Sequence, residues 1–420
     1  MKARFSTPAA IVAALAAASL IGAGCGSSDK NDSKTDSAKK TTKTSAMSGT
    51  TMSDTKTAGI TTSDAATLRI TLDRLLGQHM YLAVQAIERS LSGSKDAAQA
   101  GAALNTNSKN LADAIGSVYG DAAHDSFLEQ WNAHNGMFVA YATGVAKGDK
   151  AGQAKALVDL DGYIKNFGEF LGTATGAPVE AVQAALKMHV DHTKTVIDAY
   201  GAKDYTKSWN EARVAYDHMN KVGDVLAGAI TAQKSLDTGS TTKSAVDTRA
   251  LLDEQLAEHA ALASYATRAG LAGDPDFKAL AAALDANTVD LSKTIGSVLG
   301  APAEKQFLAQ WRAHIVFFVN YTVATAKNDA AGKAKAAAGL ADYTRTFAEF
   351  LAGPTGLPAS ALQEDLKMHV AGLAGAIDSY HAGDYEKAWS QWNEAYEHMY
   401  GTGDTLASGL TAKYPDKFQG

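Results

Sequence analysis

The sequence predicts an all-α protein built from two tandem copies of a six-helix module, and three observations predict it. The chain repeats itself at a constant offset of 180 residues without a gap: Gln130-Trp131 returns as Gln310-Trp311, and Leu186-Lys187-Met188-His189-Val190 returns as Leu366-Lys367-Met368-His369-Val370. Apolar residues follow the helical period, as in Phe127, Trp131, Phe138 and Tyr141, which share one face of a helix. Glycine and proline fall where such helices should break: Gly93, Gly120, Gly148, Gly176-Ala177-Pro178 and Gly201.

From the N-terminus, residues 1–25 read as a lipoprotein signal peptide. Lys2 and Arg4 provide a positive start, and residues 9–20 form an apolar run too short to span a bilayer. The run ends in Ile21-Gly22-Ala23-Gly24-Cys25, which resembles a lipobox with Gly22 where Leu is usual. The resemblance implies lipidation at Cys25, a membrane partner through that anchor and an extracytoplasmic location. Cys25 is the only cysteine, so no disulfide can staple the folded part. Residues 26–62 are mostly Gly, Ser, Thr, Lys, Asp and Asn with no aromatic, a composition that cannot bury enough apolar surface to order itself. They are expected to be a disordered tether. The net charge of −6, with acids and bases interspersed, argues against a nucleic-acid partner.

The first module is expected at 63–232, with helices at 63–92, 97–118, 122–147, 150–173, 178–202 and 204–231. A polar linker follows at 233–246, and the second module at 247–413. Within a module runs a shorter repeat. His79, His134 and His189 are spaced 55 residues apart; His134 and His189 each precede a turn aspartate, Asp149 or Asp204, by 15 residues, and Tyr163 and His218 follow those turns by 14. The module therefore reads as three antiparallel helical hairpins of one design, in a bundle-like arrangement.

Residues equally far before and after a hairpin turn lie at one height, since each helix rises about 1.5 Å per residue. His79, His134, His189 and His218 are thus expected in one layer, with Tyr163 and Asn107 beside them. The second copy gives His259, His314, His369 and His398, with Tyr343 and Asn287. Fewer than half of the aligned positions are identical between the copies, yet all four layer histidines recur, whereas His124, His192 and His381 do not. Burying unpartnered polar rings costs on the order of 1–3 kcal/mol each. A transition metal bound by neutral imidazoles would remove that cost. Tyr163, Asn107, Tyr343 and Asn287 would then support the ligands. Met188 and Met219, repeated as Met368 and Met399, tilt the choice toward copper over zinc or iron. A lower level of Asp73, Glu169, Gln183 and Asp224, repeated as Asp253, Glu349, Gln363 and Asp404, could orient the histidines or form a separate cation site.

The expected function is a tethered metal carrier, buffer or sensor, with one four-histidine site per module, rather than an enzyme. The alternative is a non-catalytic helical-repeat scaffold of the cell envelope with structural histidines. Its hairpins would stack as a solenoid and space His79, His134 and His189 about 10 Å apart.

Leu256-Ala257-Glu258-His259 and Lys147-Gly148-Asp149 resemble a group of secreted bacterial helical-repeat lipoproteins with recurrent single histidines, some labelled copper amine oxidase-like. The likeness covers both modules. No amine oxidase activity follows, because Asn320-Tyr321 is followed by Thr322 where that cofactor motif needs an acid, and no His-x-His pair occurs. Hemerythrin-like and ferritin-like ligand spacings are also missing.

Overall fold

The structure, a computed structural model, describes residues 61–236, 241 and 243–418. The signal peptide and Cys25, with all but the last two residues of the expected tether, lie outside the described residues. The described residues form twelve α-helices and no strand. In the first module these are α1 (Asp64–Ser92), α2 (Ala97–Tyr119), α3 (Asp121–Lys147), α4 (Lys150–Thr175), α5 (Val179–Gly201) and α6 (Tyr205–Lys234). In the second they are α7 (Ser244–Ala272), α8 (Phe277–Leu299), α9 (Ala301–Ala326), α10 (Ala330–Thr355), α11 (Ala359–His381) and α12 (Tyr385–Lys413), followed by a short 3₁₀ turn, Pro415–Lys417. No helix among the described residues is long and apolar enough to cross a membrane.

The helix ends follow from the sequence. Asp149 and Asp204 accept hydrogen bonds from the backbone N–H of Gly152 (2.9 Å) and Lys207 (3.1 Å), satisfying donors that a helix start leaves open. Asp329 and Asp384 repeat these caps 180 residues on. Gly93, Gly148 and Gly176 close α1, α3 and α4 in the left-handed region, where a Cβ would be strained. The linker is shorter than expected, because α6 runs on to Lys234 and α7 begins at Ser244.

Each module is a closed bundle. Helices pack in consecutive pairs, α1 also packs along α6, and α1, α3 and α5 touch one another on the inside. The first helix of each hairpin is therefore internal. Helix α1 is enclosed on all sides, with every residue of 75–90 buried, and α7 repeats this over 256–269.

Those two helices also pack against each other and join the modules across a pseudo-twofold axis. Equivalent residues meet on that axis: the Tyr216 and Tyr396 hydroxyls are 3.2 Å apart. Equivalent bonds flank it, Trp209 Nε1 donating to Asp276 Oδ2 (3.1 Å) and Trp389 Nε1 to Asp96 Oδ2 (3.2 Å). The chain entering each module is held by the other, since Arg69 donates to the Thr241 carbonyl and Arg249 to that of Thr61. Self-pairing of equivalent patches is the pattern of a symmetric dimer interface, here within one chain.

Candidate metal centres

Placing the first helix of every hairpin inside brings one histidine from each to the centre of the module. His79 on α1, His134 on α3 and His189 on α5 are buried, and each offers a ring nitrogen within 4.8 Å of the others. Their ring centroids lie 5.4, 6.0 and 6.1 Å apart. The second module repeats the group with His259, His314 and His369, at 5.2, 5.9 and 6.3 Å. These spacings are far below the roughly 10 Å ladder that a solenoid of hairpins would give.

The walls are aromatic. Trp131 packs on His79 (4.6 Å) and His134 (4.5 Å), and Tyr163 lies flat on His134 with centroids 4.9 Å apart. Phe138 closes the His189 side at 5.8 Å. Trp311, Tyr343 and Phe318 repeat these contacts in the second module.

In this dry setting the charged form of imidazole is disfavoured. Burial, reinforced by neighbouring histidines, pushes His79, His134, His189, His259 and His314 well below the ordinary histidine value, and His369 down to about 4. All six rings are thus neutral near pH 7, the form a metal requires.

Their nitrogens are left short of partners. Both ring nitrogens of His134 and of His189, and Nδ1 of His79, are buried without a hydrogen bond, as are the Tyr163 hydroxyl and the indole N–H of Trp131. In the second module both nitrogens of His369, Nδ1 of His314 and the Tyr343 hydroxyl share that condition. Each such atom costs on the order of 1–3 kcal/mol.

One difference separates the two groups. Trp311 Nε1 donates to His259 Nδ1 (3.3 Å), and His259 Nε2 lies 3.3 Å from His314 Nε2. An indole N–H can only donate, so it places the His259 proton on Nε2, which then donates to His314. Asn107 stands beside His79 in the first triad. Asn107 gives its N–H groups to the Leu75 carbonyl (2.9 Å) and Gln78 (3.0 Å), and Asn287 to Gln255 (2.9 Å) and Glu258 (2.7 Å). Both carboxamide oxygens stay unpaired.

The fourth expected histidine does not join. His218 is half-buried at the edge of the stripe Ala212, Ala215, Tyr216, Met219 and Gly223 that α6 turns inward. Its Nε2 bonds the Ala185 carbonyl at 2.9 Å, and its ring faces His192 at 5.5 Å. His398 likewise bonds the Asp365 carbonyl at 3.1 Å. Equal height holds, but a neighbouring helix must also face inward at that residue, and α6 and α12 present Met219 and Met399 there instead.

Two of the four methionines expected to favour copper face outward. Met188 and Met368 are 51% and 55% exposed, outside the triads. The lower acidic level is no separate cation site among the described residues. Asp73 and Asp224 pair with Arg69, Asp253 and Asp404 with Arg249, Glu349 with Arg345, and Gln183 donates to the Lys165 carbonyl.

The tryptophan three residues before the middle histidine, visible in the sequence, packs on two of the three rings. Sequence reasoning missed a cavity of about 610 Å³ between α7, α8 and α9, whose inner wall includes His259 and His314. Its only sequence signal was the unusual run of apolar residues Val316, Val319 and Val323 on the outer face of α9. A search against protein-family models matches none, and searches of curated proteins and of solved structures return no match.

Proposed function

We propose that the protein is a lipid-tethered extracytoplasmic metal carrier, buffer or sensor that holds one transition-metal ion per module, through His79, His134 and His189 and through His259, His314 and His369. The observation that carries the reading is the convergence of three buried, neutral imidazoles in each module, with most of their nitrogens unpaired in the first and half of them in the second. Three nitrogens about 2.0–2.1 Å from one tetrahedral ion stand about 3.3 Å apart. The His259–His314 separation of 3.3 Å already has that value, and the remaining ligand atoms need to contract from within 4.8 Å. A three-histidine set leaves a fourth position for a further ligand and suits copper, zinc or iron. Export and tethering rest on the signal-like segment ending at Cys25.

A structural role for the histidines is the competing reading, and the chain from Trp311 through His259 to His314 favours it in the second module, because it satisfies part of that triad without an ion. Elemental analysis separates the two. Metal-stripped protein reloaded with copper, zinc or iron should retain about two ions per chain, about one after His134→Ala, and still about two after His218→Ala. Protein that retains none of the three metals refutes the metal reading. Palmitate incorporation by cells making the protein, abolished in Cys25→Ser, tests the anchor; unlabelled wild type refutes it.

A further inference from the structure

The two triads are equally buried, but a cavity adjoins the second. The cavity of about 610 Å³ reaches His259 and His314 from the surface through walls formed by Ala266, Leu284, Ile315, Phe318 and Val319. Its volume lies in the range typical of small-molecule sites, roughly 300–1,000 Å³, and its composition matches them: apolar walls with a few converging polar groups. The polar groups at the inner end are the two histidines. His314 Nδ1 is buried without a partner on a side chain only 1% exposed. The charged groups of the lining include Arg312, held by Asp285 in a two-pronged ion pair (2.7 and 2.8 Å), with both side chains about half exposed at the mouth.

The first module has the same helices but not the cavity's lining. Residues 180 positions earlier replace Ile315 with Asn135, Val316 with Gly136, Gly270 with Ser90 and Phe277 with Ala97. The outer face of α9 carries Val316, Val319 and Val323 at 54%, 43% and 45% exposure, whereas α3 keeps Val139 but has Gly136 and Thr143 in the other two places.

Resting on the metal reading above, we propose that the second module is the ligand-taking one. A small, mostly apolar molecule ending in a single nitrogen or sulfur donor fills this cavity, and its donor completes the coordination of the ion held by His259, His314 and His369. Apolar walls recognise the body of such a molecule, and a transition metal recognises its soft head. The triad of the first module takes an ion alone.

The full-length protein loaded with cobalt(II) tests this, with phenylimidazole as the probe. Phenylimidazole should shift the visible cobalt bands and bind the loaded protein about 10-fold or more tightly than the metal-free protein. Val319→Trp, a substitution at the exposed mouth, should weaken binding about 10-fold with cobalt content unchanged. The matching Val139→Trp in the first module should leave binding as it was. Equal affinity with and without cobalt, or no band shift, overturns the proposal while the metal reading stands. Binding that ignores Val319→Trp places the probe elsewhere and also overturns it. Protein that takes up no cobalt, copper or zinc fails at the earlier step and removes the metal reading itself.

Discussion

In the first module Trp131 and His79 lie ring against ring without bonding, whereas in the second the equivalent Trp311 donates to His259 and His259 reaches His314. The same three histidines, delivered by the same three inner helices, thus stand in two conditions. One triad has hardly any of its nitrogens satisfied. The other is partly satisfied and borders a cavity. An ion entering the first triad relieves unpaired polar atoms, which favours binding. An ion on His259 Nε2 must first move that proton to Nδ1, where it would face the indole N–H of Trp311. The first site should therefore be the tighter, and the second the more exchangeable.

The largest effect expected from this difference lies in metal-linked stability. An ion at 100 times its dissociation constant adds about 2.7 kcal/mol to the folded state for each site it fills. At limiting metal, His134→Ala should abolish most of the gain in unfolding midpoint, and His314→Ala should leave most of it. Equal losses would mean that the triads are equivalent.

A smaller effect is expected of the indoles. Trp311→Phe frees His259 Nδ1 and should raise metal affinity at the second site by a factor of about 3–10, corresponding to about 1 kcal/mol for one hydrogen bond. Trp131→Phe breaks no such bond and should change the first site less. Competition with a chromogenic chelator reads both, and a larger change in Trp131→Phe would contradict the assigned proton positions.

A third difference lies at the junction of the modules, where Glu88 and its counterpart Arg268 are both buried. Burial, with Asp276 and Asp274 nearby and opposed by Arg89 and Arg268, pushes the Glu88 carboxyl well above its ordinary value of 4.5. An acid with a raised value binds its proton more tightly folded than unfolded, so its contribution is complete below about pH 4.5 and is lost as pH rises through the folded value. Glu88→Gln removes that loss. Its stability relative to wild type in urea should increase from pH 5 to pH 8, and a constant difference would show that Glu88 is already ionised at pH 5.

The smallest effect concerns the outlying histidines. His218→Ala and His398→Ala each give up one bond to a backbone carbonyl and should cost about 1 kcal/mol of stability with metal content unchanged. Loss of an ion from either variant would restore the four-histidine layer.

Helix class and position were legible because apolar period, turn aspartates and left-handed glycines agree along the whole chain; each helix of the first module ends within a few residues of its expected limit. The triad was legible through the 55-residue spacing, since a repeated hairpin puts the same residue at the same height three times. The error at His218 came from treating height as sufficient. Which way a helix faces is set by its own buried stripe, and on α6 that stripe runs through Met219. The pseudo-twofold contact was invisible because it depends on α1 and α7 being buried all round, where no amphipathic pattern marks a partner. The cavity was invisible because it arises from a handful of changes in size between two copies of one module.

Calorimetric titration of metal-free protein with zinc distinguishes a pair of unequal three-histidine sites from a structural layer. Two unequal steps of about one ion each are expected, the tighter removed by His134→Ala and the weaker by His314→Ala. A titration without binding heat, or one whose steps survive both substitutions, would contradict the pair of sites.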